Sequence, residues 1–182
     1  MALSKIQSES INLADNYAFT GTVSGTGGIT MADQWLLTTA VTYSSSQNTT
    51  ITSNLARSTV DFNYIGTGMS ESSGVFTFPL TGIYQIICQA QITSAPAQAD
   101  YVGVVTQVNS GDGTFSTRAE NFTSVINTAD AHKTAYSNVF IDVTDASAFK
   151  VRFRTQSGNS FVLSGSGSNM KTGFTFIRLG DT

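Results

Sequence analysis

Apolar and polar residues alternate with a period of two along much of this chain, the spacing that turns one face of a β-strand toward a core and the other toward water. The strongest run covers residues 83–92, where Tyr84, Ile86, Cys88, Ala90 and Ile92 share one phase. The opposite phase carries Gln85, Gln89 and Gln91, but also Ile83 and Ile87. A strand with apolar residues on both faces is a central strand or an interface strand. Val139, Ile141 and Val143 form a second alternating set. Phe149, Val151 and Phe153 form a third, with Lys150, Arg152 and Arg154 in the outward phase. Further strands are predicted over 60–64, 76–78, 101–108, 161–163 and 173–179. Residues 31–37 read as a short strand or a turn of helix, and 128–135 hold one helical turn at most.

Breakers divide these runs. Pro79 lacks the N–H that a ladder needs and ends the strand through Phe76 and Phe78. Asn109-Ser110-Gly111-Asp112-Gly113 has the composition of a hairpin turn. Ser24-Gly25-Thr26-Gly27-Gly28 is a flexible break. Upstream of it the alternation is weak, with Ile6, Ile11, Leu13 and Phe19 as the apolar positions. The chain thus divides into an N-terminal arm, residues 1–28, and a globular body, residues 29–182. About eight to ten strands separated by short turns predict an all-β sandwich or jelly roll.

Composition narrows the chemistry. Charged residues are only 12% of the chain, and Ser, Thr and 16 Gly supply the polarity, a mixture suited to strands and tight turns. The net charge is −3 and the nine cations are scattered, which argues against nucleic-acid binding. No apolar stretch is long enough for a membrane span. The start Met1-Ala2-Leu3-Ser4-Lys5-Ile6 lacks the apolar core of a signal peptide. Cys88 is the single cysteine, so an internal disulfide or a thiolate cluster is excluded.

Catalytic candidates are few. His132 is the one histidine and lies in the polar stretch Ala129-Asp130-Ala131-His132-Lys133, where an exposed position is expected. Gly165-Ser166-Gly167 precedes a strand rather than joining a strand to a helix, so it reads as a turn and not as a nucleophile elbow. Asp100, Asp112, Asp142 and Asp145 stand near strand ends without the spacing of a calcium loop. An Asp bonding its own backbone in a turn is the expected role. No catalytic, cofactor or metal site is predicted, and the chain is expected not to be an enzyme.

The segment Gly74-Val75-Phe76-Thr77-Phe78-Pro79-Leu80-Thr81-Gly82-Ile83-Tyr84 resembles the signature of the C1q/tumour-necrosis-factor-like jelly roll, which runs Gly-x-Phe-x-x-Pro-x-x-Gly-x-Tyr. The closing stretch Thr172-Gly173-Phe174-Thr175-Phe176-Ile177 resembles that family's last strand, although Lys171 stands where an aromatic is usual. The resemblance covers residues 30–180 or so and implies a homotrimer packed about a three-fold axis. Ile83, Ile87, Phe174 and Phe176 are then the candidate core or axis residues.

The arm, from Leu3-Ser4-Lys5-Ile6-Gln7 through Phe19-Thr20-Gly21-Thr22-Val23, resembles the start of virion appendage proteins of marine tailed bacteriophages. That resemblance implies a virion structural protein assembled in the bacterial cytoplasm. Ile6, Ile11, Leu13 and Phe19 would anchor it to other virion proteins, as capsid decoration or as the head of a tail fibre. Host-surface glycans or proteins are the implied adhesion partners. A cellular C1q-like lectin or adhesion module is the alternative.

Overall fold

The computed structural model describes residues 28–44, 48–59, 62–94, 99–126 and 131–182. The arm residues Ile6, Ile11, Leu13 and Phe19 lie outside them, as does Val60. The described residues form fourteen strands in chain order. The first seven are β1 (Met31–Leu37), β2 (Val41–Tyr43), β3 (Asn48–Thr50), β4 (Leu55–Arg57), β5 (Tyr64–Ile65), β6 (Ser70–Ser72) and β7 (Val75–Thr77). Then come β8 (Gly82–Ser94), β9 (Ala99–Ser110), β10 (Ser116–Val125) and β11 (His132–Val143). The chain closes with β12 (Phe149–Ser157), β13 (Phe161–Leu163) and β14 (Gly173–Gly180).

These strands build two antiparallel sheets that face each other as a jelly-roll sandwich. The first has eight strands, ordered β2-β13-β8-β14-β1-β4, with β11 on the free edge of β8 and β5 beside β1. The second has six, ordered β10-β9-β12-β7-β6, with β3 against β12. β8 is central, with β11 paired along its full length and β14 on its other side. Its inward phase, Tyr84, Ile86, Cys88, Ala90 and Ile92, is wholly buried. β12 obeys the same rule, with Phe149, Val151 and Phe153 inward.

The signature residues have separate physical tasks. Phe76 is fully buried at the centre of an aromatic cluster, 5.4 Å from Trp35, 5.7 Å from Phe174 and 5.2 Å from Phe176. Phe153 stacks on Phe174 at 3.9 Å. Tyr84 lies edge-on to Phe78 and donates its hydroxyl to the Leu80 carbonyl at 2.9 Å, which ties the Pro79 turn to the strand that follows. Gly74 and Gly82 have φ of 80° and 140°. A Cβ there would sit 2.2 Å from the Ile51 carbonyl oxygen or 2.4 Å from that of Gly180. Only glycine permits these close approaches.

One edge of the first sheet is fastened by a buried ion pair. Asp33 on β1 is fully buried and accepts from Arg57 Nε on β4 at 2.9 Å and from Arg57 Nη2 at 3.0 Å. The same carboxylate takes Trp35 Nε1 at 3.0 Å and the Met69 amide at 2.7 Å. Arg57 is in turn sandwiched between the rings of Trp35 and Tyr64, 4.9 and 4.6 Å from their centroids.

Of the two alternatives for residues 31–37, the strand is the one formed. The stretch 128–135, allowed one helical turn at most, is strand from His132 onward, at the start of β11. In the run expected over 60–64, the described residues 62–64 are strand only at Tyr64, and Phe62 and Tyr64 are exposed. Tyr64 packs on Arg57 instead of entering the core.

Candidate functional site

The outward phase of the first sheet presents several large apolar side chains. On β11, Ala135, Ser137, Ile141 and Val143 are buried, so the alternate positions Tyr136, Asn138 and Phe140 face out. Phe140 is 60% and Tyr136 47% exposed. In register, Phe140 stands opposite Gln85, Asn138 opposite Ile87, and Tyr136 opposite Gln89. Across β8, Gln85 pairs with Ile177 and Ile87 with Thr175. Leu179, at the register shift between Arg178 and Gly180, is 49% exposed beside Ile83.

Phe140, Tyr136, Ile83, Ile87, Ile177 and Leu179 therefore lie on one continuous face. Most polar residues between them are neutral, with Gln85 donating to the Asn138 side-chain oxygen at 3.2 Å and Thr175 and Gln89 completing the rows, while the exposed carboxylate of Asp142 stands at one end, opposite Ile83. Aromatic and aliphatic side chains set among neutral amides are the composition of a protein interface centre, where charge is depleted. A contiguous apolar face of this kind marks an association surface.

The four candidate core or axis residues divide between two places. Ile83 and Ile87 are half-buried on this outer face. Phe174 and Phe176 point the other way and are fully buried in the sandwich core. Tyr136, Phe140, Ile177 and Leu179 were not singled out by sequence reasoning. The signal lay in the phase of β11, because a core phase of Val139, Ile141 and Val143 turns Phe140 outward.

The chemical candidates are dispersed. His132 is exposed at the start of β11. Asp145 closes a turn by accepting from the Ser147 hydroxyl at 2.6 Å and from the amides of Ser147 and Ala148. Those bonds, the Ser147 hydroxyl first, hold its carboxyl below the usual range. Asp112 likewise accepts from the Thr114 amide at 2.9 Å. Cys88 is fully buried, and desolvation pushes its thiol far up. Among the described residues, no three His, Cys, Asp or Glu side chains gather as metal ligands.

Two shallow cavities flank β1. One, of about 370 Å³, is lined by Trp35, Arg57, Met69 and Pro79 and opens beside the ion pair. The other, of about 330 Å³, lies on the outer face between Leu36, Phe62 and Met170. Neither brings together an acid, a base and a nucleophile.

This sandwich is a jelly roll of the tumour-necrosis-factor type. Eiger TNF from S. frugiperda superposes with a TM-score of 0.59 at 13% identity, over 83% of this chain and 93% of that one. Murine APRIL does so with a TM-score of 0.59 at 15% identity, over 82% and 98% of the two chains. At such identities the likeness is one of fold. No family model matches the chain, and no curated protein sequence matches it.

Proposed function

We propose that this protein is a non-enzymatic homotrimeric binding module, carried on a bacteriophage virion as capsid decoration or as the head of a fibre. The observation that carries the assembly half is the outer face of the first sheet, with Phe140 60% exposed among Tyr136, Ile87, Ile177 and Leu179. Three copies meeting through that face would cover it in a closed ring, so that this face recruits no further copies. Three copies also multiply weak contacts with a host surface.

The virion half rests on the residues of the arm, 1–28, and their likeness to the start of phage appendage proteins. Its test is deletion of residues 1–28. The expected product still assembles but no longer joins particles, and unchanged incorporation would refute an anchoring arm. A cellular adhesion module is the second reading, favoured by the animal origin of the matching structures. Absence of this chain from purified particles, together with binding to a glycan array, would decide for it.

A further inference from the structure

The opposite face of the sandwich carries the densest positive charge of the described residues. Lys150, Arg152, Arg154 and Gln156 occupy the outward phase of β12 and are half-buried. Register places Lys150 between Thr77 and Asn109, and Arg152 between Val75 and Gln107. Arg154 lies between Thr50 and Val105, and Gln156 between Asn48 and Gly103. None of these neighbours is acidic. Glu120 stands one strand beyond Val105, and no ion pair joins it to either arginine.

Both guanidiniums are held in place without being neutralised. Arg152 Nε donates to Gln107 Oε1 at 2.9 Å, and its guanidinium lies 4.2 Å from the Phe115 centroid. Burial, and next the charge of Arg154, lower its pKa. Arg154 donates through Nη2 to the Asn48 side chain, while its buried Nε has no partner. Two like charges in adjacent rows, partly desolvated and lacking a carboxylate, are an anion site waiting for its anion.

The charged rows end in aromatics. Tyr101 and Phe122 are 43% and 38% exposed and meet edge to face at 6.0 Å. Phe122 lies over Gly103, where a Cβ would come within 2.6 Å of its ring. From Lys150 to Gly158, beside Tyr101, the track runs about 26 Å at 3.3 Å per residue. An outward-facing track of that length, with cations at one end and aromatic faces at the other, suits an extended chain of acidic sugars. We infer that the outer face of the second sheet binds an anionic polysaccharide, with Arg152 and Arg154 taking its carboxylate or sulfate groups. This inference deepens the adhesive part of the proposed function, and the face stays open when the first sheet associates.

The test is surface binding of the full chain to immobilised polygalacturonate, dextran sulfate, neutral dextran and poly-L-glutamate. Wild type is expected to bind polygalacturonate or dextran sulfate, and whichever it prefers identifies the acid group. It should ignore neutral dextran. Replacing Arg152→Gln and Arg154→Gln together should weaken binding by roughly tenfold or more. Arg154→Lys, which keeps the charge but not the guanidinium fork, should weaken binding less than the double variant, and Lys171→Gln, remote from the track, should leave it unchanged. Phe122→Ser should weaken polysaccharide binding. Absence of binding to both anionic polysaccharides, or full binding by the double variant, would overturn the inference. Poly-L-glutamate bound as tightly as the polysaccharides would also overturn it, and would assign the face to an acidic protein. Solution mass recorded on the same samples separates the two proposals: a monomeric wild type that binds keeps this face and refutes the assembly.

Discussion

Asp33 offers the sharpest check on how the first sheet is held. Its Oδ1 accepts from the Gln34 amide and Arg57 Nε, and its Oδ2 from Trp35 Nε1, Arg57 Nη2 and the Met69 amide. Asp33→Asn keeps the volume but leaves one acceptor oxygen. Whichever way the amide turns, its NH2 meets two or three donors. Each buried donor left without an acceptor costs about 1–3 kcal/mol, and breaking a buried ion pair from one side about 3–5 kcal/mol. These overlap and do not add. Arg57 is 27% exposed at its side chain, so water relieves part of its lost counter-charge. The expected destabilisation is about 3 kcal/mol, the lower end of that range. It would be read from urea unfolding followed by Trp35, with Arg57→Met and the double variant completing a cycle. The double variant should be no worse than Asp33→Asn alone, because the stranded guanidinium is gone. A loss below about 1 kcal/mol for Asp33→Asn, or full additivity in the double variant, would refute the lock.

Four further outcomes follow from other contacts. Gly82→Ala should cost about 2 kcal/mol or more, because of its left-handed φ and the Gly180 carbonyl oxygen 2.4 Å from the new Cβ. Gly167→Ala, with nothing within 4 Å, should lie within about 0.5 kcal/mol of wild type in the same urea titration. Cys88 should resist a thiol reagent in the native protein and react fully in denaturant, since burial both hides the sulfur and raises its pKa. Rapid native labelling would contradict the placement of β8. The depressed Asp145 carboxyl stabilises the folded state above its ordinary value of 3.8, and that contribution fades as pH falls through its lower folded value. The difference in urea midpoint between wild type and Asp145→Ala should therefore be constant near neutrality and shrink as pH falls from 3.8 through the lower folded value.

Much of the fold was legible because it obeys a period. Tyr84 through Ile92 and Phe149 through Phe153 are buried in the phase that the alternation assigns. The spacing from Gly74 to Tyr84 encodes two glycine contacts and two aromatic ones. β10 was missed because its residues are mostly exposed and only Val125 is fully buried, so an edge strand leaves almost no apolar phase. The Asp33–Arg57 lock was missed because it joins residues 24 apart through charge, and no period records that. Ile83 and Ile87 stood out as a second apolar phase on a central strand. Phe140 did not, since a single aromatic in the polar phase of β11 looks like scatter until β8 is known to lie beside it. Phe174 and Phe176 show the converse: their alternation marked them as apolar, while only the opposing Phe76 and Phe153 fixed which side they face.

The central claim is that the outer face of the first sheet is covered by other copies of the chain. Its most direct test is the solution mass of wild type beside Phe140→Arg and Ile87→Arg, with unfolding curves run on the same samples. Wild type should have three times the 19.3 kDa chain mass, and both variants should fall to that single mass while remaining folded. A wild type that stays at 19.3 kDa, or variants that keep the trimer mass, would contradict the account.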